Sequence, residues 1–392
     1  MQGKARCATG FARTGAASLR HGRPHPATDV EATMKPRLRV IDQGLVSPLR
    51  SQALYHGIAE AMQADDPPVL TLVSPEHPYV CIGIHQDLEA EVDMGYCREA
   101  GLPVLRRHVG GGAVYLDRNQ LFFHFIYPTQ LAPRRVADLY DHFVRPVLST
   151  YRAFGIPARL RPINDIHVND RKIGGTGAAQ IGEATIFVGS FLLDFDTDTM
   201  ARCLKVPSEK FRDKLRGTLE DYITTVRREL GEIPPRQTLV DAFLAAVGDD
   251  LSVHPHADGL RPPESEAVAA WEWRLQDQEW TFQPQRRRFP EGVKITGGVH
   301  LGESAHKAVG GLIRARVLSR DGRIGEAEIS GDFTCLPSHG VAELARELAG
   351  VDLRDGLDGA VAARMASLNL DMPGVQPGDI AQALRATLPA SA

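Results

Sequence analysis

Two short stretches hold residue types that can handle an anion. The first is Arg106-Arg107-His108-Val109-Gly110-Gly111-Gly112-Ala113-Val114-Tyr115. Three consecutive glycines let backbone approach a ligand closely, and free amides there can cradle an anion. The two arginines before them supply charge and bidentate donors for phosphate or carboxylate. The spacing is neither GxGxxG nor GxxxxGK[ST], so dinucleotide and P-loop readings fail. Taken alone, the run reads equally well as a flexible turn. The second stretch is Asn164-Asp165-Ile166-His167-Val168-Asn169-Asp170-Arg171-Lys172-Ile173-Gly174-Gly175. Ile166 and Val168 alternate before an Asn169-Asp170 turn, so Lys172 returns on a hairpin strand beside glycines. Alone, such a lysine is more often a solvated surface residue. Its functional reading is a fixed cation against a phosphate or a developing oxyanion.

The elements that must position these stretches alternate between strand and helix. Val69–Val73 and Tyr79–Ile84 are short apolar runs bounded by Pro and Gly, and read as buried strands. Leu54, Ile58, Ala61 and Met62 have helical spacing over 51–62. The run 119–127 (NQLFFHFIY) is apolar on both faces, which predicts a central strand. A helix is expected over 137–154, bent at Pro146 and stopped by Gly155, with a further strand over 186–195. The stretch 254–266 (HPHADGLRPPESE) has a linker composition. Beyond it Ile313, Ala315 and Val317 alternate with arginines, and Ala327 and Ile329 with glutamates. A three-residue loop Arg320-Asp321-Gly322 would close this hairpin. It would set Arg314 opposite Glu328 and Arg316 opposite Glu326. Short helices follow at Val341–Leu348 and Ile380–Leu388.

Composition narrows the class. The chain has 392 residues, 43% hydrophobic and 24% charged, the balance of a soluble globular enzyme with room for two domains. No apolar run approaches the roughly 18 residues of a membrane span. Net charge is −4, which gives no electrostatic footprint for nucleic acid. Five scattered cysteines without CxxC spacing argue against a disulfide framework or structural zinc, and fit a reducing cytoplasm. Residues 1–33 are Arg-rich, with no acid before Asp29. That is transit-peptide composition, but an unstructured or spurious extension over 1–35 is the plainer reading, with Met34 a natural start.

Together the two glycine-bearing motifs, followed by the strand GSFLLDFD, resemble the lipoate–protein ligase family, which belongs with biotin ligases and octanoyltransferases. The resemblance continues through Trp271-Glu272-Trp273 and Glu279-Trp280 to Gly331-Asp332-Phe333. It implies an α+β fold: a mixed-sheet, class II biotin/lipoate-ligase-like catalytic domain over 36–255, and a Trp-bearing connector over 256–285. A small α+β accessory domain would occupy 286–392 and act as a mobile lid. The implied chemistry is activation of lipoate by ATP to lipoyl-AMP, then transfer to a lysine of a carrier domain. Arg107, Gly110, Gly111, Gly112, Ala113, Val114, Tyr115, Asn164 and Asp165 match the part that holds ATP and the adenylate. Lys172 matches the lysine between phosphate and acyl carbonyl, Asp165 a magnesium site, and Ile84 and Gly175 the lipoate site. Val80 and Ile82 are candidates for its aliphatic lining.

The chain also departs from that pattern. Val109 stands where a serine is usual, Leu116 where a histidine is, and Ile84 where an arginine is. Val188-Gly189-Ser190 replaces His-Gly-Thr, and GGTGAAQ follows Lys172 and Ile173 where SGSAQ is usual. This thins the polar shell around the phosphates, as a divergent subgroup with a dedicated carrier would, such as a sulfur-oxidation lipoate-binding protein. Two rivals remain. A ligase-like octanoyltransferase carries its nucleophilic cysteine where this chain reads Asn164-Asp165, and no cysteine lies between Cys97 and Cys203. A non-catalytic lipoyl-binding homologue would keep the fold alone.

Overall fold

The computed structural model describes residues 35–283 and 298–389. The expected N-terminal extension, apart from its last residue, and the start of the expected accessory domain lie outside the described residues. In chain order the strands are β1 (Arg37–Val46), β2 (Val69–Pro75), β3 (Tyr79–Ile82), β4 (Val104–Arg106), β5 (Val114–Leu116), β6 (Gln120–Pro128) and β7 (Ala158–Arg161). They continue as β8 (Asp165–Val168), β9 (Arg171–Ile181), β10 (Ala184–Leu192), β11 (His254–Ala257), β12 (Val299–Ala308), β13 (Gly311–Arg320) and β14 (Arg323–Gly331).

Eight strands make one sheet in the order β11-β1-β2-β6-β10-β9-β8-β7. β1 is parallel to both β11 and β2, while the remaining pairs are antiparallel, so the sheet is mixed. This is the expected α+β class. β6 is central and buried along its whole length. Its odd residues Leu121, Phe123 and Phe125 join a core with Phe143 of the helix Val136–Ala153 and Phe243 of the helix Arg236–Asp250. Its even residues Phe122 and Ile126 join a second core with the helices Pro48–Ala61 and Pro262–Arg274. Period-2 alternation thus serves two apolar layers at once. Burial of a phenylalanine side chain contributes roughly 1.5–3 kcal/mol.

The Pro- and His-rich stretch expected to be a linker is instead built into this domain. His254–Ala257 is the edge strand β11, and Pro262–Arg274 is a helix. The reason is Arg39 on β1, which is buried. Its guanidinium bonds Glu264 at 2.5 Å and Asp258 at 2.6 Å. The acids that made the segment look solvent-bound are partners of a buried cation. Removing one side of such a pair costs about 3–5 kcal/mol.

β12, β13 and β14 form an antiparallel sheet, covered by the helices Gly340–Glu347, Leu357–Ser367 and Pro377–Arg385. The expected hairpin exists, but its register is two residues away from the expected one. Arg316 faces Glu328 and Arg314 faces Ser330. The loop holds two residues, Asp321 (φ 51°) and Gly322 (φ 82°), the positive-φ pair of a type I′ turn. A bulge between Leu318 and Ser319 then adds the remaining shift.

Candidate functional site

β8 and β9 are joined by Asn169-Asp170, with Asn169 at φ 53°. Beyond two paired positions a bulge at Ile173 interrupts the pairing, since His167 faces Lys172 but Ile166 faces Gly174. Ile173 sinks into the core while Lys172 borders a cavity of about 320 Å³. Asp165, at the start of β8, holds the Lys172 ammonium, with Nζ 2.7 Å from Oδ1. The Tyr222 hydroxyl donates to the other carboxylate oxygen at 3.3 Å and also lies 3.3 Å from His167 Nε2. Burial, with the Asp165 charge behind it, raises the Tyr222 pKa, so the hydroxyl keeps its proton. Burial lowers that of His167 despite Asp165. Asn164 is turned to structural use: its amide donates to the Thr176 carbonyl at 3.0 Å. Thr176 returns a bond from its hydroxyl at 2.9 Å.

The glycine loop leaves β4 through two arginines with different fates. Arg106 is buried and donates to the carbonyls of Thr281, Gly83, Ile84 and Gln86. It is a structural tie, its pKa lowered by burial to about 10, and the expected anion-binding role for it fails. Arg107 turns back on its own loop and donates at 2.8 Å to the carbonyls of both Gly110 and Gly112. The loop is also covered. A Cβ on Gly110 would sit 2.5 Å from the Phe333 carbonyl oxygen, so the Gly331-Asp332-Phe333 turn of the small sheet seats on glycine backbone. Arg314 reaches Glu91 at 3.0 Å and His108 meets Ser338 at 3.0 Å across the same junction.

Arg107, Gly110, Gly111, Gly112, Ala113, Val114, Tyr115, Asn164, Lys172 and Gly175 all line the one cavity, with Asp165 bonded to its edge. Residues separated by sixty positions therefore converge as expected. Ile84 does not join them. It lies on a second cavity, with His85 and Trp280, because its own amide and carbonyl are bonded to Val109 and Arg106. Val80 and Ile82 are packed in a core with Leu88 and Val92. The apolar lining comes instead from Val109, Leu116, Phe122, Val188, Leu192 and Phe195. Gln52, Tyr55, His124, Thr176 and Tyr222 also line the cavity and were missed. The signal for His124 was present, a single histidine inside NQLFFHFIY; nothing local marks Gln52 or Tyr222.

A divalent ion has little to hold it here. No group of three or more His, Cys, Asp or Glu side chains converges among the described residues. Asp165 is the carboxylate beside Lys172, and one carboxylate suffices for magnesium that arrives with substrate phosphates. Asp165 fits that minimal role. Among the described residues no cysteine lines the cavity, and Cys81, Cys97, Cys203 and Cys335 are all buried. Among the described residues no helix is long and apolar enough to cross a membrane.

Residues 47–248 match the family model for the lipoyl protein ligase A/B catalytic domain. Lipoate-protein ligase A subunit 1 of Thermoplasma acidophilum is 29% identical over 186 residues, 45% of this chain and 70% of that protein. Octanoyltransferase LipM of Symbiobacterium thermophilum is 24% identical over 243 residues, 56% of this chain and 88% of that one. Among solved structures, P. falciparum LipL1 in complex with lipoate superposes with a TM-score of 0.62 at 17% identity. It covers 86% of this chain and 95% of its own. That likeness is one of fold, and it extends beyond the residues matched by the family model.

Proposed function

Because this chain belongs to the lipoyl protein ligase A/B catalytic-domain family, we propose that it activates lipoate with ATP and passes the lipoyl group to a lysine of a carrier domain. The observation that carries this reading is Lys172, held at the edge of the cavity by Asp165 and flanked by Gly174 and Gly175. Adenylation brings a carboxylate against the α-phosphate; its oxygen bonds to phosphorus and pyrophosphate leaves. An ammonium at that junction offsets the repulsion of two anions, then polarises the acyl carbonyl when the carrier amine attacks and AMP departs. Lys172 can turn from Asp165 to the phosphate without losing an ionic partner. Magnesium, carried on the phosphates, would neutralise the leaving pyrophosphate, with Asp165 as its protein ligand. Arg107 holds the glycine loop in shape for the nucleotide. The Phe333 turn over Gly110 supports a lid that must shift for nucleotide to enter and a carrier to reach the acyl group.

The second reading is a transferase that works through a cysteine thioester, and it is favoured by the LipM relative. Thioester chemistry needs an accessible thiolate. Burial raises the Cys81 thiol pKa, and among the described residues no thiol borders the cavity. The test is lipoate-dependent exchange of pyrophosphate into ATP, followed by a lipoyl mass shift on candidate carrier domains. Both should appear only with ATP. Acyl transfer from an octanoyl carrier without ATP would favour the transferase. A folded protein that binds lipoate but exchanges nothing would be the non-catalytic homologue.

A further inference from the structure

One residue on the site-facing side of β6 breaks its apolar pattern. Phe122 and Ile126 are core residues, and His124 stands between them, 3% exposed, lining the same cavity as Lys172. Its Nδ1 lies 2.6 Å from the Thr71 hydroxyl on the neighbouring strand. Thr71 is fully buried, and its hydroxyl has no other hydrogen-bond partner among the described residues. Its proton therefore goes to Nδ1, since a buried hydroxyl must donate somewhere. That places the imidazole proton on Nε2, a tautomer inferred from the network. Nε2 itself has no protein partner among the described residues. Burial lowers the pKa to about 3, so the ring presents a neutral N–H at neutral pH.

The position is as informative as the chemistry. Gly177 on β9 pairs with Val188 on β10, and Val188 pairs with His124 on β6. His124 therefore lies two strand spacings, roughly 10 Å, across the sheet from Gly177. The Lys172 ammonium lies against Gly175, two residues from Gly177 along the same strand, so ammonium and ring are about 12 Å apart once the rise along the strand is included. The cavity runs from a charged mouth, past Val109 and Val188, to this ring, which packs against Tyr55 at 4.8 Å. A medium-chain acid with its carboxylate at Lys172 would bring its far end to His124.

We propose that His124 sets the specificity for the tail of the acyl substrate by donating Nε2–H to a sulfur of the dithiolane ring, so that the site takes lipoate in preference to octanoate. This rests on the ligase reading given above and deepens it. Sulfur is a weak acceptor, but it is an acceptor. A saturated tail offers none and shuts out the water that would otherwise serve, leaving a buried donor unpaired. Thr71 acts as a positioning residue, because it decides which imidazole nitrogen carries the proton.

The experiment measures equilibrium binding of free oxidised lipoate and free octanoate to the full chain by calorimetry, apart from any exchange assay. The unaltered protein should bind lipoate at least about tenfold tighter, which corresponds to about 1.4 kcal/mol. His124→Phe should bring the two acids to within about threefold, chiefly by tightening octanoate. Thr71→Val, nearly isosteric, should weaken the preference in the same direction and decides the matter should His124→Phe not fold. Equal affinity for the two acids in the unaltered protein, or an unchanged ratio in the folded variants, would overturn the assignment and leave the ligase reading standing. Binding of neither acid would overturn both.

Discussion

At its mouth the cavity is bordered by charge that solvent reaches: Lys172 is 35% exposed and Asp165 24%. At its inner end the polar groups are buried and neutral and, apart from Nε2 of His124, paired in series. Tyr55 donates to Gln52, Gln52 donates to the Tyr79 hydroxyl at 2.7 Å, and His56 bonds the Gln52 carbonyl at 2.7 Å. The His108 amide donates to His56 Nε2 at 3.0 Å, so His56 carries its proton on Nδ1. Charge at the mouth can be re-paired during a reaction, since water and a phosphate can stand in for Asp165. The inner network has no such freedom, because each member is satisfied by another buried member. The mouth is built to exchange partners and the inner end to hold one shape.

The largest expected effect tests the mouth. Lys172→Ala should cut pyrophosphate exchange and carrier lipoylation by about 10²–10³-fold, the usual loss on removing one preorganised donor to developing charge. Lys172→Arg should rescue poorly, because a planar fork does not replace a compact ammonium in a narrow slot. Thermal unfolding should hardly move in either variant, since the pair is partly exposed. A solvated lysine with no role would leave all three measurements alone.

The middle of the cavity is a tighter constraint. A Cβ on Gly177 would sit 2.4 Å from Val109 Cγ1, and Val109 is buried. Gly177→Ala should therefore overpack the wall, costing about 1–3 kcal/mol in stability. Adding Val109→Ala should recover most of that loss, and a double-mutant cycle measures the coupling. Independent losses that simply add would show that the wall yields elsewhere.

The inner end should betray its neutrality in acid. His56 and His124 are both buried, and burial lowers both pKa values, that of His124 from 6.5 to about 3. Unfolding lets them take up protons that the folded state refuses. Stability is therefore full above about pH 6.5 and falls as pH drops toward 3. Each histidine contributes about 1.4 kcal/mol per pH unit once well below 6.5. Denaturant titrations between pH 7 and 5 should show this slope, and His124→Phe should remove one histidine's share of it. A flat profile would mean that these rings charge freely and that the inner end is wet.

How far the residues announced this arrangement depends on the same contrast. Arg107, the glycines and Lys172 were legible because two stretches, each ambiguous alone, complete one pattern. The strands were legible where burial is total, as in β6. Arg106 misled, because composition does not distinguish an arginine that meets an anion from one that ties four carbonyls. The linker reading misled for the same reason: Asp258 and Glu264 looked solvated until Arg39 was placed between them. Ile84 misled because β3 ends at Ile82 and the turn that follows carries Ile84 to the other cavity. The hairpin register depended on a bulge at Gly325, and one unpaired residue leaves no mark on an alternating pattern. The inner end was least legible, since Gln52, Tyr55 and His124 come together only through the pairing of β2, β6 and β10 beneath a helix.

The smallest effect separates the two ends most finely. Tyr222 touches the mouth alone: its hydroxyl donates to Asp165 and meets His167, and its ring lies beside the cavity. Tyr222→Phe keeps the ring and removes the hydroxyl. At 3.3 Å the bond is long, so its loss belongs at the lower end of the usual 0.5–1.5 kcal/mol, about two- to threefold. The effect should fall on the KM for ATP, because an Asp165 that has lost a donor holds Lys172 more tightly against the incoming phosphate. Turnover should stay within about twofold, and the ratio of lipoate to octanoate affinity should not change. A shifted acyl ratio in Tyr222→Phe would mean that mouth and inner end communicate through the strands between them, and the division drawn from their chemistry would have to be abandoned.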